Sequence, residues 1–362
     1  MLVNKMPSLK IGDLIAKIPI IQGGMGVGIS LSGLASAVAN EGGVGVIAAA
    51  GIGMLENDFN TNFKEANKRA LRNEIRKCRA KTDGIIGVNI MVALSDFEEL
   101  VKVAVEEGVD IIFSGAGLPL NLPKFLSKDS KTKLAPIVSS VRSAKVLIRY
   151  WKKKYDYLPD LIVVEGPKAG GHLGYSMEQL NDPNFALDKT VKDLVSELKS
   201  MGLNIPIVAA GGIYTGKDIY EYIKMGAKGV QMATRFVATH ECDASIEFKQ
   251  AFVNAKKEDL TIIKSPVGLP GRAIKNEFLQ DVEKGEKKPF KCGWKCLKTC
   301  DFKNAPYCIG AALTNAKKGL LDKGFAFAGS NVYRIDRIVS VKELIRSLIK
   351  EYNDACKGLS FV

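Results

Sequence analysis

Three groups of residues have types and spacings suited to chemistry. The first lies in 204–239, NIPIVAAGGIYTGKDIYEYIKMGAKGVQMATRFVAT. It reads as strand, glycine turn, helix, strand and second turn. Residues 205–210 are a short apolar run ending at Gly211-Gly212, which suits a strand buried on both faces. Ile219, Tyr222 and Ile223 fall at helical spacing, and Gly226 follows as a C-cap. Residues 229–232 give the second strand, and Ala233-Thr234 opens the next loop. Two parallel strands joined by a helix place both turns on one edge of the sheet. Backbone N–H groups at such turns bind phosphate. Turn geometry alone would also call for glycine, but paired turns after successive strands favour an anion site.

The second group is the loop EGPKAGGHLG at 165–174, which carries His172, one of two histidines in the chain. Small residues precede it, so little side-chain bulk shields the ring. A neutral imidazole there can take or give a proton near pH 7. A histidine that only braces its loop is the plainer alternative, and His240 is read that way. The third group is Cys292, Cys296, Cys300 and Cys308, spaced C-x3-C-x3-C-x7-C. On a helix the first three would share one face, and Cys308 would fold back behind Pro306. Four thiolates suit Zn²⁺ or an iron–sulfur cluster. The spacing matches neither the usual zinc pairs nor the common ferredoxin run, and thiols packing as small hydrophobes are the alternative.

These groups need a scaffold that brings distant loops together. Apolar runs ending in glycine-rich loops recur along the chain at 18–21, 44–50, 85–90, 111–113, 134–138, 161–164, 205–210 and 229–232. Helical patterns separate them, with Ser30 or Ser32 as the first helix cap. Eight such alternations predict a parallel (β/α)8 TIM barrel over 1–239. The pattern changes after His240. Residues 241–310 show no strand–helix alternation and hold the cysteine cluster, with 268–273 read as a turn into a basic helix. We expect a mostly helical appended segment over the barrel mouth at 240–330, then a closing helix within 331–362.

Composition narrows the partners. The chain has 362 residues, 52 Lys+Arg against 39 Asp+Glu, and a net charge of +13. Such a surface favours anionic partners, though a solvated lysine-rich surface explains it as well. The lysines are spread rather than striped with aromatics, which argues against nucleic acid. No long uncharged apolar run predicts a membrane helix, and the N-terminal stretch lacks a signal-peptide core. A cytoplasmic location is expected, in which clustered cysteines seldom form disulfides.

In a barrel the loops after the strands share one face. That face gathers 22–26, Asn89, 114–117, 165–172, Gly211-Gly212 and Ala233-Thr234. It is rich in glycine and poor in charge, with no metal-spaced His/Asp/Glu set and no nucleophile beside a base. A flat, phosphate-tailed cofactor fits it, and FMN is the natural candidate. Glu165, Lys168 and Gly171 join the candidate cofactor set from the same face.

The chain resembles the nitronate monooxygenases, formerly 2-nitropropane dioxygenases, and the related flavin-dependent enoyl-acyl-carrier-protein reductases. The matching pieces are IIQGGMGVGIS at 20–30, GVNI at 87–90, SGAGLP at 114–119, EGPKAGGHLG at 165–174, VAAGGI at 208–213, GAKGVQMATRF at 226–236 and GRAIKN at 271–276. The resemblance implies an FMN barrel. It assigns Gly24, Met25 and Asn89 to the flavin ring. It assigns Gly211, Gly212, Ala233 and Thr234 to the phosphate end, with Gln231 nearby, and makes His172 the acid/base. The relatives usually have glycine at Ala233, so this methyl group requires a negative φ.

Two chemistries follow from the resemblance. A monooxygenase would oxidise alkyl nitronates to carbonyl compounds and nitrite, with His172 deprotonating a neutral nitroalkane. A reductase would use NAD(P)H and an enoyl thioester on an acyl carrier protein, with His172 assisting protonation. QGGMGVGIS and GLPGRAI favour the first. A flavin and iron–sulfur electron-transfer module is a third reading. A small-molecule substrate is expected throughout, and a second copy of the chain is a further candidate partner.

Overall fold

The computed structural model describes residues 5–358; the outer ends of the first and last expected divisions, 1–4 and 359–362, lie outside the described residues. The strands are β1 (Leu9–Ile11), β2 (Leu14–Ala16), β3 (Ile20–Gln22), β4 (Gly45–Ala48), β5 (Ile86–Asn89), β6 (Ile111–Ser114), β7 (Lys133–Val138), β8 (Ile162–Glu165), β9 (Gly171–His172), β10 (Ile207–Ala210), β11 (Gly229–Met232), β12 (Leu260–Lys264) and β13 (Pro270–Ile274). The α-helices are α1 (Ser32–Asn40), α2 (Phe59–Arg79), α3 (Phe97–Glu106), α4 (Val141–Tyr155), α5 (Leu187–Ser200), α6 (Gly216–Lys224), α7 (Thr234–Val237), α8 (Ile246–Asn254), α9 (Glu277–Glu283), α10 (Ile309–Lys317) and α11 (Val341–Cys356).

Eight parallel strands run in the order β3-β11-β10-β8-β7-β6-β5-β4. The ring closes where Gln22 N donates to Val44 O at 2.9 Å and Val44 N donates to Ile20 O at 3.0 Å. The strands are apolar because both faces are covered. Inside, Ile21, Val46, Phe113, Val163 and Val208 fill the barrel. Gly87 is glycine because a Cβ there would meet the Phe113 ring at 2.6 Å. The antiparallel hairpin β1–β2 plugs the N-terminal end with the fully buried Leu9 and Ile11. The sequence pattern did not reveal this hairpin, since each strand has only three residues.

Helices pack outside the barrel. Neither Ser30 nor Ser32 caps α1. Asp243, from beyond the barrel, accepts from Leu31 N at 2.8 Å, Gly33 N at 3.1 Å and Leu34 N at 3.1 Å. The α6 start follows its sequence signal: Thr215 and Asp218 form a reciprocal capping box. Helix α11 returns to α6, closely enough that a Cβ on Gly216 would lie 2.1 Å from Leu348 O.

The segment after the barrel carries α8 to α11 as expected, but it also contains a small sheet that was not expected. Residues 260–274 form the hairpin β12–β13, and β9 joins it as a third antiparallel strand through Gly271↔His172 and Arg272↔Gly171. The run 268–273 is therefore turn and strand. The helix after it, α9, reads EFLQDVE and is acidic. Residues 286–308 contain no helix, so the first three clustered cysteines do not share a helical face. Gly293 and Pro289 break helical continuity there.

Candidate active site

The loops at the C-terminal ends of the barrel strands and the later segment enclose a cavity of ≈ 330 Å³. Gly24, Met25, Asn89, Glu165, Gly171, His172, Gly211, Gly212, Gln231, Ala233 and Thr234 all line it. Lys168 does not. It is exposed, and its stem lies beside Gly212, where an added Cβ would approach Lys168 Cβ at 2.7 Å.

One end of the cavity is a cradle of backbone. Gly211 and Gly212 have φ of +95° and +81°, which exposes their peptide groups at little steric cost. Among the described residues nothing accepts from the N–H groups of Gly212, Ile213, Ala233 or Thr234. Buried amides of this kind normally have partners, and four together fit a phosphate. Ala233 has φ −123°, so its methyl group is accommodated. Asn331 Nδ2 donates to Gly212 O at 2.7 Å, and Gly329 N donates to Thr234 Oγ1 at 3.0 Å. These two residues from the later segment were not singled out in the sequence; the AGSN turn at 328–331 was the available signal.

The floor is set by Gln22, which is fully buried. Its Nε2 donates to Gly23 O at 2.6 Å, and its Oε1 accepts from Val46 N at 3.0 Å. This fixes the 23–26 turn against β4. Gly24 sits so close to Asn89 that a Cβ would be 2.4 Å from Asn89 Cβ. The backbone there leaves a flat slot, as an aromatic ring system requires. The observed wall, cradle and slot therefore fit FMN.

The other end is apolar, lined by Met54, Phe59, Leu94, Leu297, Ile309 and Leu313. Buried Asp96 stands at its edge, accepting from Asn67 Nδ2 at 2.8 Å, and burial pushes its carboxyl up.

Two titratable groups face the middle of the cavity. His172 Nε2 lies 2.7 Å from Ser265 Oγ, and the ring meets Phe327 edge-on at 5.0 Å. Burial lowers its pKa to about 4, so the imidazole is neutral at pH 7. Glu165, at the end of β8, is raised to about 7 by burial, and its carboxyl has no hydrogen-bond partner among the described residues. Arg272 supports the loop between them, donating to Pro167 O at 2.6 Å and Ala169 O at 2.7 Å.

The four clustered cysteines are near one another. Burial raises Cys296 to about 12, and the thiols of Cys308, Cys292 and Cys300 add to that push. Cys296 lines the cavity and the other three do not. Among the described residues, no group of three or more His, Cys, Asp or Glu is arranged to hold a metal ion. No helix among them is long and apolar enough to cross a membrane.

Known proteins resemble this chain in sequence and fold. The chain is 26% identical over 393 aligned residues to a probable nitronate monooxygenase of Staphylococcus saprophyticus, covering 97% of this chain and 99% of that protein. It is 29% identical over 269 residues to a (3aS,4S,5R,7aS)-5-hydroxy-7a-methyl-1-oxo-octahydro-1H-indene-4-carboxyl-CoA dehydrogenase of Mycobacterium tuberculosis, covering 74% of this chain but 66% of that relative. The solved structure of FabK from Thermotoga maritima superposes with a TM-score of 0.72 at 29% identity, covering 94% of each chain. A nitroalkane oxidase from Streptomyces ansochromogenes has a TM-score of 0.72 at 21% identity over 94% of this chain and 97% of that one, a likeness of fold alone. The model of the family described as nitronate monooxygenase matches residues 8–351, almost the whole barrel and the segment that covers it. With one continuous match from the first hairpin to α11, the chain is an oxidoreductase belonging to the nitronate monooxygenase family.

Proposed function

We propose that the protein is an FMN-dependent nitronate monooxygenase that converts alkyl nitronates to carbonyl compounds and nitrite. One observation carries the reading: a neutral imidazole, His172, stands between an amide cradle suited to phosphate and an apolar arm suited to an alkyl chain. Gly211, Gly212, Ala233 and Thr234 would hold the phosphate. Gly24, Met25 and Asn89 would bound the ring, with Gln231 beside it. Bound FMN would supply the electron acceptance that the protein's side chains lack. The apolar arm orients the alkyl group and excludes water. His172 would touch the nitro oxygens. Testing is direct: purified protein should release FMN on denaturation. With nitronate it should consume oxygen and form nitrite. Protein that cannot be reconstituted with FMN, or loaded protein inert to every nitronate, ends this reading.

A second reading is an enoyl-acyl-carrier-protein reductase using NAD(P)H. It is supported by the 29% identity to FabK and by exposed Lys291, Lys295, Lys298 and Lys303 on the segment bordering the mouth, which suit an acidic carrier. NAD(P)H oxidation that depends on an enoyl thioester would select it. For Cys292, Cys296, Cys300 and Cys308 we further propose a soft-ligand site for an iron–sulfur cluster or zinc, supported by four thiols gathered within seventeen residues.

A further inference from the structure

Whether His172 gives or takes a proton depends on which ring nitrogen carries hydrogen, and its partners decide that. Nε2 faces the Ser265 hydroxyl at 2.7 Å. Nδ1 has no hydrogen-bond partner among the described residues, and the ring lines the cavity. Ser265 is 3% exposed and sits in the tight loop between β12 and β13. Its Oγ accepts from Val267 N at 3.4 Å. Among the described residues, its only hydrogen-bond acceptor is His172 Nε2.

A buried hydroxyl with one donor neighbour and one acceptor neighbour has one satisfied orientation. It accepts from Val267 N–H and donates to Nε2. The reverse arrangement would leave the proton of this buried serine without an acceptor, a loss that disfavours it about tenfold or more. Histidines that serve as bases normally have their second nitrogen held by a carboxylate or a carbonyl, which accepts from it. Here a hydroxyl takes that place. Glu165 lines the same cavity but makes no bond to the ring, and Arg272 is turned onto Pro167 O and Ala169 O.

We infer that Ser265 is a positioning residue that locks His172 in the Nδ1–H tautomer, so that His172 presents a hydrogen-bond donor to the substrate. The tautomer stands on the hydrogen-bond geometry alone. Its consequence for substrate rests on the proposed nitronate chemistry. A donor stabilises the oxygens of a preformed nitronate anion and cannot deprotonate a neutral nitroalkane. The substrate class is therefore the nitronate itself, made by a separate C–H deprotonation. The appended hairpin thus sets the site's polarity besides covering it, since Ser265 and the strand that pairs with His172 both belong to it.

The chain's two histidines make the test tractable. Full-length, flavin-loaded protein is labelled with ring-15N histidine, and His240→Gln assigns the two rings. At pH 7.5 His172 is expected to show a protonated Nδ1 and an unprotonated Nε2. Ser265→Ala should shift population toward Nε2–H, and Ser265→Thr should restore Nδ1–H. With propyl nitronate, Ser265→Ala should lower kcat about tenfold with little change in KM, and the hydroxyl in Ser265→Thr should rescue it. Wild-type protein showing Nε2–H overturns the inference, and that measurement needs no variant to fold. Equal turnover of nitroalkane and nitronate overturns the substrate assignment. If neither is turned over, the nitronate reading fails while the nitrogen spectra still decide the tautomer.

Discussion

His172 and Glu165 share one cavity, and burial moves both toward their neutral forms: the histidine down to about 4, the glutamate up to about 7. Their effects on stability have opposite signs. The unfolded histidine takes a proton below its ordinary value near 6.5. The folded one does not, so stability falls as pH drops from about 6.5 toward 4. The folded glutamate keeps its proton to higher pH than the unfolded one. Stability therefore falls as pH rises from about 4.3 toward 7. Glu165→Gln should thus raise the melting temperature at pH 8 and leave it nearly unchanged at pH 4, read by circular dichroism. A larger gain at pH 4 than at pH 8 would contradict the assignment. His172→Ala should retain flavin yet lose about 10²–10³-fold in kcat on nitronate, the cost of removing one hydrogen-bond donor from its oxygens. Gly212→Ala tests the cradle. A side chain at φ +81° is strained, and its Cβ would meet Lys168 Cβ at 2.7 Å. The purified variant should carry less flavin, measured by the ratio of flavin to protein absorbance. The glycine pair and His172 were legible in sequence because each follows a strand. The Ser265 contact was not, because 93 residues separate the partners and only the β9–β13 pairing joins them.

At the scale of elements, the barrel strands were readable as apolar runs because both their faces are buried. The hairpin was not. Strand β13 reads PGRAI, and its Pro and Gly resemble a turn. It is tolerated because Pro270 opens the strand, where its carbonyl still accepts from Leu173 N at 2.8 Å. The α1 cap was misplaced for a similar reason: two serines lie at the right spot, but the working acceptor is Asp243, more than 200 residues away. No local rule finds a cap supplied by tertiary structure. Asp243→Ala should leave three helix-start N–H groups without their acceptor and cost about 1–3 kcal/mol. Calorimetry should show the loss, and Asp243→Asn should recover part of it. A variant as stable as the parent would mean that water replaces the carboxylate without cost.

For the molecule as a whole, the segment 286–308 is the least regular part, yet it is tied to the barrel. Ser95 N donates to Cys296 O at 3.0 Å, and Lys298 N donates to Ala93 O at 2.8 Å. Trp294 packs edge-on against Phe59 at 4.8 Å, and Phe59 lines the cavity. A long stretch without secondary structure inside a compact domain usually has a function or a cross-link. Four thiols within it supply the means for one. Thiolates gathered on one soft cation would close loops of known length and restrict the segment. Trp294 then reports on the site, because it lies between Cys292 and Cys296, whereas the other tryptophan, Trp151, is fully buried on the outer helix α4. Among the described residues the thiols are not arranged for a metal, so the proposed soft-ligand site requires them to draw together on the ion. On that proposal, anaerobically purified protein should contain about one iron–sulfur cluster or zinc per chain. Chelation should release it, free the four thiols to titration and shift tryptophan emission to the red. Trp294→Phe should abolish that shift. The cavity should open at the same time, since Cys296 and Leu297 line it, so on the proposed nitronate chemistry turnover should fall with metal loss while the flavin is retained. Protein with neither iron nor zinc, all four thiols reactive from the start and no emission change would leave the cysteines as packing residues. The segment would then be held by its barrel contacts alone.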